Sequence, residues 1–127
     1  MKIRTAFILL LLLCWFVQPV IAAEPLDVSL IQLIASPKDY DGKVVRVIGF
    51  VRLEFEGNAI YLHQDDYKHG ITKNGLWIDV TDDMRKKQAE IDQKYVLIEG
   101  TFIAKFTGHM GLWNGSIQKI SRCEIWR

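Results

Sequence analysis

The spacing of apolar residues changes once along the chain, close to Lys43. Between residues 29 and 35, leucine and isoleucine recur at helical spacing behind Ser29, a residue type that caps helices. Pro37 ends this helix because it restricts Ser36 and offers no backbone donor. From Lys43 onward the apolar residues recur with a period of two, which predicts β-strands. The pattern therefore predicts a short amino-terminal helix followed by a domain made mainly of strands.

Five strands are predicted, with a helix between the third and the fourth. The strands cover residues 43–56, 59–63, 76–80, 94–105 and 116–126, and the helix covers residues 84–93 behind the cap Thr81. Gly49 lies in the middle of the long first strand, where a glycine marks a bulge or a bend. A long, bent strand can serve two sheets, which is how a small barrel turns its corner. The predicted inward face of this strand consists of Val45, Val47, Gly49, Val51, Leu53 and Phe55.

Two long connections join these strands. Residues 64–75 are polar, show no periodicity and are predicted to be the longest loop. Residues 107–115 contain three glycines and an apolar tip made of Met110, Leu112 and Trp113. The sequence leaves two alternatives for that tip: it contacts a ligand or partner, or Leu112 and Trp113 fold back to cap the open end of the barrel.

The element order helix, β-β-β-α-β-β predicts an OB-fold, a five-stranded Greek-key barrel, so the fold class is mainly β. Residues 33–49 read Leu-Ile-Ala-Ser-Pro-Lys-Asp-Tyr-Asp-Gly-Lys-Val-Val-Arg-Val-Ile-Gly. This stretch resembles the opening of small exported bacterial OB-fold proteins of the tRNA-anticodon-binding-like superfamily. The resemblance covers residues 24–127. It implies a binding barrel but no particular ligand, because OB barrels bind many different molecules.

The start of the chain has the three-part pattern of a secretory signal peptide. Two basic residues precede an apolar run that ends before Gln18, and small residues follow at Ala22 and Ala23. A membrane-spanning anchor needs about 20 apolar residues, so we expect cleavage after Ala23, with a retained anchor as the alternative. The expected domains are a signal peptide over residues 1–23 and one barrel over residues 24–127. The expected location is the periplasm or the exterior of the cell.

Charge and cysteine content narrow the expected partners. Without residues 1–23, the chain has 14 basic and 15 acidic residues, and it lacks the basic excess that binding to nucleic-acid phosphates requires. Cys14 leaves with the signal peptide, so Cys123 has no partner for an intrachain disulfide. Because Cys123 lies in an apolar-alternating segment, we expect a buried and unreactive thiol.

A ligand-binding site is predicted on the outer face of the second and third strands, which is the usual binding face of OB barrels, and on the adjoining loops. Period two directs Tyr61 and Trp77 outward and Ile78 inward, although the amino-terminal helix could cover this face. The predicted ligand-binding residues are Tyr61, His63, Asp65, His69, Trp77, His109 and Trp113.

No metal, cofactor or catalytic activity is predicted. The imidazoles and carboxylates of residues 63–69 could be metal ligands, but their spacing matches no known class of metal site. The serines lie in no nucleophile motif, and no phosphate-binding glycine loop precedes a helix.

Two functions remain open. The first is an exported module that binds a small ligand or glycan on the strand 2–3 face. The second is a protein-interaction domain, such as an inhibitor, an immunity-type protein or an envelope-assembly component, that docks through residues 107–115. The expected partner is thus a small ligand or an envelope protein and not a nucleic acid, and no stable membrane span is expected after cleavage of the signal peptide.

Overall fold

The computed structural model describes residues 19–127, so most of the predicted signal peptide, including Cys14, lies outside the described residues. The strands are β1 (Leu26–Asp27), β2 (Val44–Arg52), β3 (Ala59–Tyr61), β4 (Gly75–Ile78), β5 (Tyr95–Ile103) and β6 (Ser116–Ile125). The α-helices are α1 (Leu30–Ala35), α2 (Pro37–Tyr40), α3 (Gln64–Lys68), α4 (Asp82–Lys86) and α5 (Gln88–Ile91), and two 3-10 turns are η1 (Thr72–Asn74) and η2 (His109–Gly111).

Strands β2 to β6 form a closed barrel. Strand β2 pairs antiparallel with β3 and with β5, β3 pairs antiparallel with β4, and β5 pairs antiparallel with β6. A parallel contact between β4 and β6 completes the ring, and the short strand β1 lies parallel to β2. The predicted fold class is therefore confirmed: the chain is mainly β, with a closed five-stranded barrel and a few short helices, consistent with an OB-like barrel.

The first barrel strand, β2, passes from one neighbour to the other close to Gly49. It pairs with β5 from Val44 to Phe50, without a bulge, and with β3 from Phe50 to Arg52. A Cβ atom at Gly49 would lie 2.6 Å from the carbonyl oxygen of Tyr61, which is closer than real Cβ contacts come. Glycine is needed here because two strands approach each other closely at the corner.

The end of this strand differs from the prediction. Strand β2 stops at Arg52, and the backbone N–H of Gly57 donates to the carbonyl of Glu54 at 3.1 Å in a tight turn. Phe55, which was predicted to face inward, is 91% exposed at the tip of this turn. The apolar alternation continued past the point where the chain leaves the sheet, so the prediction for Phe55 was wrong.

The barrel interior, which we call the barrel core, is built from alternate strand residues and closed by helices. It consists of Leu30, Leu33, Val45, Val47, Val51, Leu53, Ile60, Leu76, Ile78, Met84, Ile91, Val96, Ile98, Phe102 and Ile117. Leu30 and Leu33 come from α1, whose first turn is capped by Ser29 as predicted. Met84 and Ile91 come from α4 and α5, so the helical segment after β4 also contributes to this core, although its apolar content is low.

The polar segment after β3 is not a structureless loop, because it contains α3 and η1. The Nδ1 atom of His63 accepts a hydrogen bond from the backbone N–H of Asp65 at 3.2 Å, and the Asp66 carboxylate accepts one from the backbone N–H of His63 at 3.1 Å. This reciprocal capping starts a helix of only five residues, which is too short to show apolar periodicity. None of the helices within residues 19–127 has the length and apolar character needed to cross a membrane.

Candidate functional site

A second hydrophobic cluster lies on the outer side of β2, β3 and β4. We call it the outer aromatic cluster; it consists of Phe50, Ala59, Tyr61, Tyr67, Trp77 and Trp113. Its strand residues alternate with residues of the barrel core, such as Ile60 and Ile78, which places Tyr61 and Trp77 on the outward side that period two indicated. The predicted binding face of the second and third strands is therefore an aromatic surface.

Two loops cover this aromatic surface. Helix α3 contributes Tyr67, whose ring centroid lies 5.9 Å from that of Tyr61 and 6.2 Å from that of Phe50. The β5–β6 connection contributes Trp113, which meets Trp77 edge to face at 5.2 Å between ring centroids. Such aromatic pairs add about 0.5–1.5 kcal/mol beyond the burial of their area. The cover thus comes from the two long connections, whereas α1 packs against the barrel core.

Trp113 is a central member of the cluster, with only 3% of its surface exposed. Its backbone N–H donates to the carbonyl of Thr107 at 3.1 Å, which folds the glycine-rich connection back on itself. Gly108 has φ of 72°, and a Cβ atom there would lie 2.7 Å from the Trp77 ring. Trp113 therefore folds back, but onto the outer face of the barrel and not over its open end, and Leu112 stays 41% exposed. The Nε1 atom of Trp113 is buried and makes no hydrogen bond.

Tyr61 is also enclosed, with 4% of its surface exposed. Burial raises the pKa of its phenol. Tyr61 and Trp113 therefore pack against the protein itself and present little surface to a ligand from outside.

Arg52 links α3 to the barrel through a hydrogen bond and ion pairs. Its Nε atom donates to the Tyr67 hydroxyl at 2.9 Å, and its guanidinium also pairs with Asp92 and, at 3.2 Å, with Glu54. The hydrogen bond with the Tyr67 hydroxyl is the largest cause of the raised pKa of Arg52. The Arg52 side chain is only 19% exposed, and its charge is paired with the carboxylates of Asp92 and Glu54. Sequence reasoning missed this network, because its members come from separate elements and share no motif.

The polar candidates on α3 remain at the surface. His63 and Asp65 have side chains 64% and 65% exposed, and both take part in capping the helix. His69 lies at the other end of α3, where its Nδ1 atom is 2.9 Å from the carbonyl oxygen of Asp65. Within residues 19–127, no group of three or more histidine, cysteine, aspartate or glutamate side chains is placed to hold a metal ion.

His109 lies in a different part of the surface and joins two loops. Its Nε2 atom is 3.3 Å from a carboxylate oxygen of Glu56, which links the β5–β6 connection to the β2–β3 turn. Beside this contact, Phe55 is 91% exposed and Met110 is 81% exposed. Residues 53–58 and 106–112 thus form two neighbouring loops with exposed apolar tips. In OB barrels the corresponding loops flank the binding face.

Backbone conformation accounts for the exposure of these two tips. Glu56 and Met110 adopt φ of 55° and 54°, a left-handed conformation that is uncommon for residues other than glycine. Each one reverses the chain sharply, and the apolar side chain is held outside the fold. Sequence reasoning missed Phe55 and Glu56; the Gly57-Asn58 reversal directly after them was the available signal.

Comparison with known proteins does not assign a family: no protein-family model and no curated protein matches this sequence.

Proposed function

We propose that the protein is an exported binding domain that recognises an envelope protein through residues 53–58 and 106–112, which we call the docking loops. The observation that carries the proposal is the exposure of Phe55 and Met110, at 91% and 81%, beside the His109–Glu56 contact that joins their loops. Aromatic residues and methionine are enriched at protein interfaces. Burying either side chain against a partner would contribute about 1.5–3 kcal/mol.

The loop that carries Met110 is restrained on its barrel side. The Lys73 ammonium donates to the carbonyl of Gly111 at 3.4 Å, and the Asn114 side chain donates to the carbonyl of Lys73. Trp113 anchors the same connection in the outer aromatic cluster. A loop that is already ordered loses little conformational entropy on binding, which favours recognition by its exposed tip.

A small-ligand site on the strand 2–3 face has less support. Small-molecule sites are concave and lined by accessible apolar groups. On this face Tyr61 and Trp113 are 4% and 3% exposed, so the aromatic groups that would stack on a sugar are already packed. Of the predicted set, His63, Asp65 and His69 are exposed polar groups in and beside α3, and Trp77 and His109 are half-buried.

The proposal is tested by recovering partners from an envelope extract. The purified protein is immobilised, and bound proteins are quantified by mass spectrometry for the original chain and for the variants Phe55→Ser and Met110→Ser. We expect each variant to retain at most about a tenth of the partner, which corresponds to about 1.4 kcal/mol. Ile31→Ser is the matched control, because Ile31 is a 62% exposed apolar residue on α1.

Equal recovery by all three variants and the original chain would contradict the proposal. A saturable rise in melting temperature with a glycan or other small ligand, lost on substitution of His63 or Trp77, would favour the small-ligand alternative instead.

A further inference from the structure

One edge of strand β6 has no strand beside it over most of its length. Strand β6 pairs with β5 from Ser116 to Ile125, but it pairs with β4 only at Ser116 and Ile117. The backbone N–H of Asp79 closes the contact with β4 by donating to the carbonyl of Ile117 at 3.0 Å. Beyond that point, no strand among residues 19–127 pairs with this edge of β6.

The register identifies the backbone groups that this edge presents. The backbone N–H of Trp126 donates to the carbonyl of Tyr95 at 2.9 Å. Hydrogen-bonded and non-hydrogen-bonded pairs alternate along antiparallel strands, so Arg122 and Glu124 also direct their backbone groups toward β5. The N–H and C=O groups of Cys123 and Ile125 therefore point away from β5, toward the unpaired edge.

A groove runs beside this edge. Its volume is about 340 Å³, and it lies between α4 and β6. Asp83 and Lys87, which pair with each other at 3.1 Å, line it from the helix, and Ser121 and Cys123 line it from the strand. Unpaired strand edges are templates for the addition of another strand.

The charges around Cys123 are self-complementary. Arg122 and Glu124 flank it and pair with each other at 2.7 Å, and Arg122 also contacts Glu99 at 3.0 Å. If a second copy of β6 runs antiparallel to the first with Cys123 at the centre, Arg122 of each copy lies opposite Glu124 of the other. Opposite charges in directly facing positions stabilise a strand pair, and like charges destabilise it. Moving the centre to Arg122 or to Glu124 would set like charges against each other.

We propose that the protein forms a two-fold symmetric homodimer by antiparallel pairing of its β6 edges, centred on Cys123. The second copy continues the sheet of the first, and its β6 supplies the acceptors and donors that the Cys123 and Ile125 backbone groups lack. This surface is separate from the docking loops, so the inference does not rest on the proposed function. A dimer of this kind would carry two sets of docking loops.

Self-association is measured by sedimentation equilibrium. The protein is expressed from its full sequence, including residues 1–23, and is purified in the form that remains after any cleavage in the cell. We expect the original chain to dimerise reversibly with increasing concentration. Arg122→Glu and Glu124→Arg should each raise the dissociation constant at least about tenfold, because each variant sets two pairs of like charges in contact. Lys38→Glu, a charge reversal at an exposed position of α2, should leave the dissociation constant unchanged.

An equimolar mixture of the two variants separates the dimer from local damage. In the mixed dimer, the two glutamates of one copy face the two arginines of the other, so association should return to near the original strength. If Arg122→Glu weakened association only because it removes the Arg122–Glu99 contact within one copy, mixing the variants would not restore association. Three results would overturn the proposal. The first is a protein that stays monomeric at every concentration, even if it binds an unrelated extended peptide at this edge. The others are a dimer that neither variant weakens, and a mixture of the variants that is no more dimeric than each variant alone.

Discussion

The barrel core and the outer aromatic cluster lie on opposite sides of the same strands but are built differently. The barrel core is mainly aliphatic, and most of its strand residues follow a simple alternation. The outer cluster is mainly aromatic, and two of its residues, Tyr67 and Trp113, come from the connections between strands. The inner face of the sheet is thus covered mainly by side chains of the strands themselves. The outer face is covered in part by side chains from two connections between strands.

This difference bears on function. Small antiparallel barrels commonly leave their outer face to solvent or to a ligand. Here Tyr67 and Trp113 occupy that position, and the most exposed apolar groups within residues 24–127 are found at the loop tips instead, at Phe55 and Met110. Trp113 anchors the β5–β6 connection in the outer cluster, so the loop that covers the strand face is also the loop that carries the exposed Met110.

The largest expected effect comes from Trp113→Ala, which tests whether the outer cluster is as tightly packed as a core. Because Trp113 is 3% exposed, we expect the free energy of unfolding to fall by about 3–5 kcal/mol, as for large aromatic truncations in cores. Urea unfolding followed by circular dichroism measures the change.

Trp126→Ala is the matched control for that experiment. Trp126 is 52% exposed near the end of the chain, and its truncation should change the free energy of unfolding by no more than about 0.5 kcal/mol. Equal small losses in both variants would show that Trp113 only rests on the surface and that the outer cluster is not a second core.

The barrel could be predicted from the sequence because its signals are local. The cap at Ser29, the change to period two at Lys43 and the glycine at position 49 each act within a few residues, and together with the order of helix and strands along the chain they predict the barrel. The ends of strands were less predictable: alternation continued to Phe55, but the backbone had already turned. Periodicity reports which side chains could face inward, and it does not report where hydrogen bonding stops.

The candidate site was less predictable, because its contacts join distant segments. Tyr61 and Trp77 were placed on the outward side by alternation alone. The burial of Tyr61 and the partial burial of Trp77 depend on Trp113, which is far from both in sequence, and on Tyr67, which is held by Arg52. No local sequence pattern distinguishes a tryptophan that packs onto its own barrel from one that is exposed for binding.

A smaller effect is expected from Gly108→Ala compared with Gly70→Ala. Both glycines have positive φ, 72° and 66°, so alanine is strained at either position. A Cβ at Gly70 meets nothing within 4 Å, whereas one at Gly108 would press on the rings of Trp77 and Trp113. We expect Gly108→Ala to lower the free energy of unfolding by about 1–3 kcal/mol more than Gly70→Ala, since overpacking adds to the backbone strain.

Chemical denaturation of the two glycine variants supplies this comparison, with intrinsic tryptophan fluorescence as the probe. If the two variants lose the same stability, the rings have room to move, and the outer aromatic cluster lacks the close packing of the barrel core.

The smallest expected effect is a pH dependence that compares the two regions through the partly buried Cys123, which packs against the barrel core, and the buried Tyr61 of the outer cluster. Burial against the barrel core raises the pKa of the Cys123 thiol from 9.0 to about 11, and burial in the outer cluster raises the pKa of Tyr61. Both groups hold their protons more tightly when folded, so their contribution to stability is complete below the unfolded pKa and is lost as the pH rises through the folded value. For Cys123 that decline lies between about pH 9 and about pH 11. Urea unfolding across this range should show a shallower decline of the free energy of unfolding for Cys123→Ala than for the original chain, and a shallower decline at higher pH for Tyr61→Phe.

An unchanged slope in Tyr61→Phe alone would mean that the outer cluster opens to solvent before the barrel core unfolds, because a phenol that is already exposed contributes no difference between the two states.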